Sequence, residues 1–555
     1  MKKIIFIVFS VIMLTSLLMA SCGKPAATTT TPPTTTAPPT TTAPPTTTKP
    51  PTTTPPTTAP PTTTTGLGDL AKPAGGKSGG RLEMAIGSAV LNLSEITSGA
   101  GPSDAFYAFP CVEPLLRLDG NQNFHPWLAE NFTIASDFSS ITLYLRHNVK
   151  FSDGTDFNAD AVVYAVDCAL ANPQYTIGKA FKEPVVIDPY TVRLDFIDGK
   201  WNWDSAKGLA YWWGLLMYSP TAAKVNGKDW LKTHIVGTGP FILTEYKLNQ
   251  KAVYDKNPNY WRGAPYLDGM DFNIIPDVTT QLLAYKAGEI HVLGAQLKDV
   301  ATLEAQGFSM TESDDAVTNF CLVPSSNNPD SALSDVRVRQ AVQYAIDQDA
   351  MITGLTYGLG KTTQQLFPFG AYMNSDVVGY PFSIQKAKDL LAQAGYATGL
   401  TLTLTYNEYT NPDVPPALKD MFAKVGITLV LNKVSYLQSA AMIFTSGWDG
   451  FLLSYTFPGN TVDPGFSAGM YITQGGWVSL AKPADIAAEI NAAAMEPDLA
   501  TRTADYQKIS KDLTDVCEWQ FLYWNGAYTS INPSLKGYTN GLYKEFYSYT
   551  FAYFD

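Results

Sequence analysis

Ile384-Gln385-Lys386-Ala387-Lys388-Asp389-Leu390-Leu391-Ala392-Gln393-Ala394-Gly395, followed closely by Leu400-Thr401-Leu402-Thr403-Leu404-Thr405-Tyr406, holds two hydrophobic periods in succession. In the first part, apolar residues recur at helical spacing, and Gly395 is placed to cap the helix in the left-handed conformation. In the second, apolar residues alternate with threonine, the pattern of a half-buried strand. Ile427 to Leu431 reads as a further, more buried strand. Upstream, Val338, Ala341, Val342, Ala345 and Ile346 stand at i, i+3, i+4 spacing, which predicts one helix over Val336 to Ile352. Further upstream, Thr142 to Arg146 alternates at period two, and Asn158 precedes a helical run to Val166 as a candidate N-cap. Helix followed by strand, repeated along the chain, predicts an α/β architecture. About 475 residues lie between Arg81 and Asp555. This exceeds what one hydrophobic core serves, so two or three domains are expected.

The chain begins differently. Lys2 and Lys3 precede an apolar run from Ile4 to Leu18, and Met19-Ala20-Ser21-Cys22 follows. A short basic end, an apolar stretch and small residues describe an export signal. Cys22 directly after the small pair resembles a bacterial lipobox, with Cys22 as the acylated residue and Met19 replacing the commoner Leu. The alternative is an uncleaved anchor, but the run is shorter than the ~20 residues a spanning helix needs. From 28 to 65 the sequence is almost wholly Thr, Pro and Ala. Proline fixes φ and removes the backbone donor, so the segment is expected to be an extended tether. At ~3.1 Å per residue it reaches on the order of 100 Å. Gly66 to Gly80 is expected to continue it as a flexible joint.

The formal net charge is −12 and no Lys/Arg run follows the signal, which argues against nucleic acid as a partner. Cys111, Cys168, Cys321 and Cys517 are far apart and form no zinc pattern; one or two disulfides are open to them. His125, His147, His234 and His291 show no i, i+3 or i+4 pair, so no metal site is assigned. Gly76-Lys77-Ser78-Gly79-Gly80 matches a nucleophile-elbow pattern, yet no strand precedes it and no helix follows, so it reads as linker. No cofactor is called for, and the chain is read as a non-enzyme.

Six short motifs then line up. Phe151-Ser152-Asp153-Gly154-Thr155 precedes Asn158-Ala159-Asp160-Ala161-Val162. Gly237-Thr238-Gly239-Pro240-Phe241, Lys256-Asn257-Pro258-Asn259-Tyr260-Trp261 and Ala287-Gly288-Glu289-Ile290 follow. Then come Asp335-Val336-Arg337-Val338-Arg339-Gln340-Ala341 with Ala345-Ile346-Asp347, and Lys386 to Leu391 with Ala394-Gly395-Tyr396. In order and spacing they resemble the large extracellular solute-binding proteins of the peptide/nickel type, family 5, which serve ABC importers. Read physically, most are structural. Asp153-Gly154 is turn chemistry. Gly237 and Gly239 are expected to relieve φ in a tight crossing turn. Tyr260 and Trp261 read as core or seam aromatics, and Arg337 and Arg339 as salt-bridge partners.

The resemblance implies a two-lobed periplasmic-binding-protein fold of the type II, large three-subdomain form. Lobe I is expected from 81–112 with 237–320 and 520–555, an accessory subdomain from 113–236, and lobe II from 321–519. It implies a monomeric, lipid-anchored protein on the outer face of the cytoplasmic membrane, passing an oligopeptide or peptide-like solute to permease subunits. Aromatic residues crowd two stretches, one around Trp201, Trp203, Tyr211, Trp212, Trp213 and Tyr218, the other around Tyr436, Trp448, Tyr455, Phe457 and Phe466. Any one of them is more often core than ligand contact. Tyr436 and Tyr455 align with ligand-facing positions of the family. The binding candidates are Ser98, Gly99, Trp212, Trp213, Tyr436, Tyr455 and Asn460. Where peptide-binding members place an aspartate before "DP", Asn460 stands before Asp463-Pro464. A buried ammonium without a carboxylate is costly, so an oligosaccharide or other neutral solute is the alternative. A secreted glycan- or peptide-active hydrolase is the alternative of another class.

Overall fold

The computed structural model describes residues 72–94, 106–118, 123–171, 180–210, 214–456, 464–473, 475–538 and 549–555. In chain order the strands are β1 (Arg81–Ile86), β2 (Leu116–Leu118), β3 (Phe124–Pro126), β4 (Ala129–Ile134), β5 (Ser140–Leu145), β6 (Val185–Asp188) and β7 (Thr191–Asp195). They continue with β8 (Phe241–Lys247), β9 (Lys251–Lys256), β10 (Gly269–Ile274), β11 (Val292–Ala295), β12 (Met310–Pro324), β13 (Leu400–Asn407) and β14 (Ile427–Val434). The last are β15 (Phe451–Thr456), β16 (Gln520–Ile531), β17 (Leu535–Lys536) and β18 (Tyr553–Phe554).

Ten strands form one sheet in the order β14-β13-β15-β12-β16-β11-β1-β10-β9-β8. β12 and β16 join its two halves. Met310 to Glu312 pair with Ser530 to Tyr528, beside β11, whereas Val317 to Leu322 pair with Gly526 to Gln520, beside β15. The register slips between Glu312 and Val317. A bulge bends a strand and sharpens its twist, and here it falls where two strands pass from one half to the other. Gly526 sits opposite it, and a Cβ there would stand 2.6 Å from the Ser313 carbonyl.

In the second half helices cover both faces. Leu322, Leu404 and Phe451 pack against the helices Val336–Ala345, Ile384–Gln393 and Val414–Ala423. Cys321, Val323 and Leu452 alternate to the other side, against Pro464–Ile472, Ala484–Ala494 and Leu499–Asp515. Period-two alternation thus feeds two separate cores from the same strands. Leu82, Phe241, Tyr254 and Phe272 anchor the core of the first half. A separate four-stranded sheet, β4-β5-β7-β6, packs with the helix Ala159–Ala171 around Trp127, Phe157 and Val162.

Local readings held where the cause was local. Asn158 Oδ1 accepts the Asp160 amide at 2.9 Å at the start of its helix. Gly395 has φ +94° just past the helix end, and the Tyr396 amide donates to Leu391 O at 2.8 Å. Asp153 takes the Thr155 amide at 2.9 Å and the Ser219 hydroxyl at 2.6 Å. Arg337 pairs with Asp335 at 2.6 Å, and Arg339 with Glu518 at 2.9 Å.

Four expectations change. The helix expected over Val336 to Ile352 is two, Val336–Ala345 and Gln348–Leu355. Ile346 turns extended, and Asp347 caps the second helix by accepting the Ala350 amide at 3.0 Å. Gly237 and Gly239 lack positive φ; they let two segments touch, since a Cβ on Gly237 would lie 2.1 Å from the Cys111 carbonyl. The flexible joint expected to Gly80 is already docked from Lys72, whose Nζ donates to Ala264 O at 2.6 Å, while Gly79 N donates to Tyr266 O at 2.9 Å. Leu216, Tyr218 and Ile235, expected in the accessory subdomain, pack in the core of the first half. Cys111, Cys168, Cys321 and Cys517 form no disulfide, and burial pushes the Cys111 and Cys517 thiols up to about 12.

Candidate functional site

Tyr436 opens a short helix, Tyr436–Ala441, directly after β14. A capping box fixes this start: Ser435 Oγ accepts the Gln438 amide at 3.2 Å, and Gln438 Oε1 accepts the Ser435 amide at 2.8 Å. Tyr409 follows β13, in a turn where its amide donates to Asn407 Oδ1 at 3.0 Å. Its ring meets that of Tyr436 edge-on, with centroids 5.7 Å apart. Tyr455 lies at the end of β15, opposite Phe320 of β12, and its carbonyl accepts the Tyr471 hydroxyl at 2.8 Å. Phe320 in turn lies 5.1 Å from the Tyr523 ring.

Burial raises the pKa of both Tyr436 and Tyr455, and each feels its neighbour: Tyr409 acts on Tyr436, and Tyr436 on Tyr455. Tyr409 and Tyr436 follow the ends of β13 and β14, and Tyr455 lies at the end of the neighbouring β15, so the three tyrosines form a row. Tyr409 keeps 49% of its surface exposed and Tyr455 37%. Tyr455, Phe320 and Tyr523 sit on strands just past the bulge, at the end of the second half that adjoins the first. Open aromatic faces beside hydroxyls suit a ligand with flat or apolar surface and hydrogen-bonding groups.

The two described binding candidates, Tyr436 and Tyr455, are brought together. Ser98, Gly99, Trp212, Trp213 and Asn460 lie outside the described residues, as does Cys22. Trp201, Trp203, Tyr218 and Trp448 are buried in core positions. Tyr409 was missed in the sequence because it falls just beyond the alternating run; an aromatic within three residues of a strand's C-terminal end was the available signal. Among the described residues no group of three or more His, Cys, Asp or Glu side chains is placed to hold a metal, and no helix is long and apolar enough to cross a membrane.

Several motif residues converge on a carboxylate that the sequence did not point to. Glu113 Oε1 accepts from Trp127 Nε1 at 3.0 Å and Tyr260 Oη at 2.7 Å; Oε2 accepts from Thr238 Oγ1 at 2.7 Å and Trp261 Nε1 at 2.9 Å. Burial pushes Glu113 up, against the pull of these donors and of Arg262. The guanidinium of Arg262 lies over Trp127 at 4.7 Å, and that of Arg146 over Trp261 at 4.7 Å. A buried carboxylate this fully hydrogen-bonded ties segments together. Its signal in the sequence was a lone Glu in the apolar run Phe109 to Leu116.

A second junction joins the core around the four-stranded sheet to the second half of the main sheet. Trp203 packs in the core around the four-stranded sheet, stacked on Phe124 at 5.6 Å. Its Nε1 donates to Glu496 O at 2.5 Å, and the fully buried Arg502 places its guanidinium 5.0 Å from the Trp203 ring. Glu496 and Arg502 belong to the helical layer of the second half.

The sequence model "Bacterial extracellular solute-binding proteins, family 5 Middle" matches residues 123–476. Heme-binding protein A of Haemophilus influenzae is 29% identical over 351 residues, 57% of this chain and 63% of that protein. The match thus spans just under two thirds of that relative. The glutathione-binding protein GsiB of Salmonella choleraesuis is 27% identical over 374 residues, 66% of this chain and 71% of that protein. Among solved structures, NikA from Brucella suis in complex with Fe(III)-EDTA superposes with a TM-score of 0.76 at 24% identity, covering 86% of this chain and all of that one. This likeness shows the two-lobed fold of periplasmic binding proteins. With the family's model matched over well over half the chain, this protein is a member of the bacterial extracellular solute-binding proteins, family 5.

Proposed function

We propose that the protein captures an oligopeptide or peptide-like solute between its two lobes and delivers it to the permease of an ABC importer, leaving the solute chemically unchanged. The observation that carries this reading is the row Tyr409, Tyr436 and Tyr455, open to solvent at the end of one lobe where two strands cross to the other. A ligand shifts an open–closed equilibrium only if it binds one state more strongly, and a site touching both lobes supplies that difference. In this reading lobe I is built on β1 with β8 to β11, lobe II on β13 to β15, and the region around the four-stranded sheet is the accessory subdomain. Cys22 carries the lipid, and the Thr/Pro segment holds the domain away from the membrane.

The relatives are named for haem and glutathione, and the solved neighbour holds a chelated metal. The neutral-solute alternative keeps one argument in its favour: Asn460 stands where an aspartate would hold a peptide's ammonium. Mass spectrometry of solute extracted from natively purified protein identifies the class. Titration calorimetry with that solute then tests the row. Tyr436→Ala and Tyr455→Ala are expected to weaken binding by about fivefold or more each, since stacked aromatics contribute on the order of 1 kcal/mol beyond their area. Unchanged affinity in both variants removes the row from the site.

A further inference from the structure

Phe320 of β12 has Tyr455 of β15 as its partner in one ladder and Tyr523 of β16 as its partner in the other. Residues directly opposite one another share a face of the sheet. The three aromatic residues therefore stand abreast, on the face that carries Leu322 and Leu453 further along the strands. Phe320 is only partly buried there, and Tyr455 keeps 37% of its surface exposed. Tyr409 and Tyr436 continue the line, each two residues past the paired ends Asn407 and Val434 of β13 and β14. β13, β14 and β15 run parallel, and open α/β sheets bind ligands outside the carboxyl ends of such strands. The five aromatics thus follow the strand order β14-β13-β15-β12-β16. At about 4.8 Å between neighbouring strands, that line is roughly 19 Å long.

Tyr523 differs from other buried tyrosines. Tyr254 Oη donates to Tyr107 O at 2.8 Å, Tyr260 Oη to Glu113 at 2.7 Å, and Tyr471 Oη to Tyr455 O at 2.8 Å. A buried tyrosine hydroxyl usually finds such a partner. Tyr523 keeps only 5% of its surface exposed, yet its hydroxyl has no hydrogen-bond partner among the described residues and is not sealed from solvent. Burial pushes its pKa up to about 12, so at neutral pH the hydroxyl is protonated and can both donate and accept.

We propose that Phe320 and Tyr523 extend the floor of the solute site from Tyr455 onto the crossing strands. The floor receives an elongated solute lying across the strands, and the Tyr523 hydroxyl hydrogen-bonds an amide or hydroxyl group of it. At about 3.4 Å per extended residue, the line accommodates a peptide of roughly five residues. The inference rests on the proposed solute-binding function and deepens it by naming the shape of the solute and a residue that selects it.

The test uses Tyr523→Phe and Phe320→Leu in the full chain. Each protein is incubated with an enzymatic casein digest or with mixed maltooligosaccharides, desalted, and examined by native mass spectrometry, with melting temperature measured separately without solute. Tyr523→Phe is expected to melt with the wild type, because the hydroxyl has no protein partner to lose, and to retain about fivefold less of the solute the wild type retains. Phe320→Leu, which stays apolar but loses the flat face, is expected to lose about as much. Which mixture supplies the solute separates the amide from the hydroxyl source. Equal retention by Tyr523→Phe overturns the proposal, and so does a clear fall in its melting temperature, which would mean that the hydroxyl serves the fold. Retention by the wild type of nothing longer than a dipeptide or disaccharide overturns it too, since neither reaches along the floor. If the wild type retains nothing from either mixture, the solute-binding reading fails as well; if Tyr523→Phe retains the wild-type solute equally, that reading stands and this one falls.

Discussion

Trp203 Nε1 donates to the carbonyl of Glu496, joining residues 293 positions apart in the chain and two separately packed cores. Trp203 belongs to the core around the four-stranded sheet, and Glu496 leads into the helix that carries Arg502. The contact ties the accessory region to the second half of the main sheet, so it favours arrangements that keep those two parts together. Trp203→Phe keeps the ring and loses the donor. It is expected to cost about 1 kcal/mol, which is about fivefold in an open–closed ratio. Small-angle scattering without solute should show a larger radius of gyration for the variant, and saturating solute should restore the wild-type value. An unchanged radius would mean that the contact has no part in closure.

Arg339 is expected to be essential for stability for a reason its position alone does not give. Its guanidinium pairs with buried Glu518 and also donates to the carbonyls of Leu333, Ser334, Val516 and Cys517. Burial already pushes Glu518 up, and Arg339 opposes that rise. Arg339→Met should cost about 3–5 kcal/mol at neutral pH. Without the arginine, the folded pKa of Glu518 climbs further above its unfolded value. Such a group keeps its contribution below the unfolded pKa and loses it as pH rises through the folded one. The deficit should therefore be smaller at pH 5 than at pH 8, and Glu518→Gln should recover part of it. Denaturant unfolding at the two pH values checks the sign.

His291 should respond in the opposite direction. Burial holds its pKa below the ordinary 6.5, and Nδ1 accepts the Glu83 amide at 2.9 Å, which a protonated ring cannot do. With a depressed folded pKa, the stabilising contribution is complete above pH 6.5 and falls as pH drops below it. Replacement by asparagine, whose Oδ1 accepts without titrating, should flatten the part of the melting-temperature profile below pH 6.5 that this residue causes. An identical slope in wild type and His291→Asn would contradict the assignment.

Gly237→Ala is expected to prevent folding, because its Cβ would lie 2.1 Å from a backbone carbonyl that cannot swing away. Gly288→Ala, where a Cβ meets nothing within 4 Å, should lose only about 1 kcal/mol from its left-handed conformation. Soluble yield and circular dichroism distinguish the two.

What the sequence disclosed follows a physical line. Alternation at Leu400 to Tyr406 and the cap at Asn158 are set by neighbours within four residues, so both were legible. The break at Ile346 was not, because the apolar spacing continues across it and only the capping role of Asp347 marks the new helix. The glycines at 237 and 239 were noticed for the wrong cause: close approach to Cys111 involves a segment more than a hundred residues away. Glu113 gathers donors from Trp127, Thr238, Tyr260 and Trp261, a convergence that no local pattern encodes. Family alignment singled out Tyr436 and Tyr455, but Tyr409 joined them only through loop geometry.

Mass spectrometry of the natively purified protein, with the bound small molecule weighed before and after release, tests the central claim most directly. The account predicts one small molecule per chain, set free with its mass unchanged after prolonged incubation. A protein that carries no solute from any source, or that returns a cleaved or modified product, would contradict it.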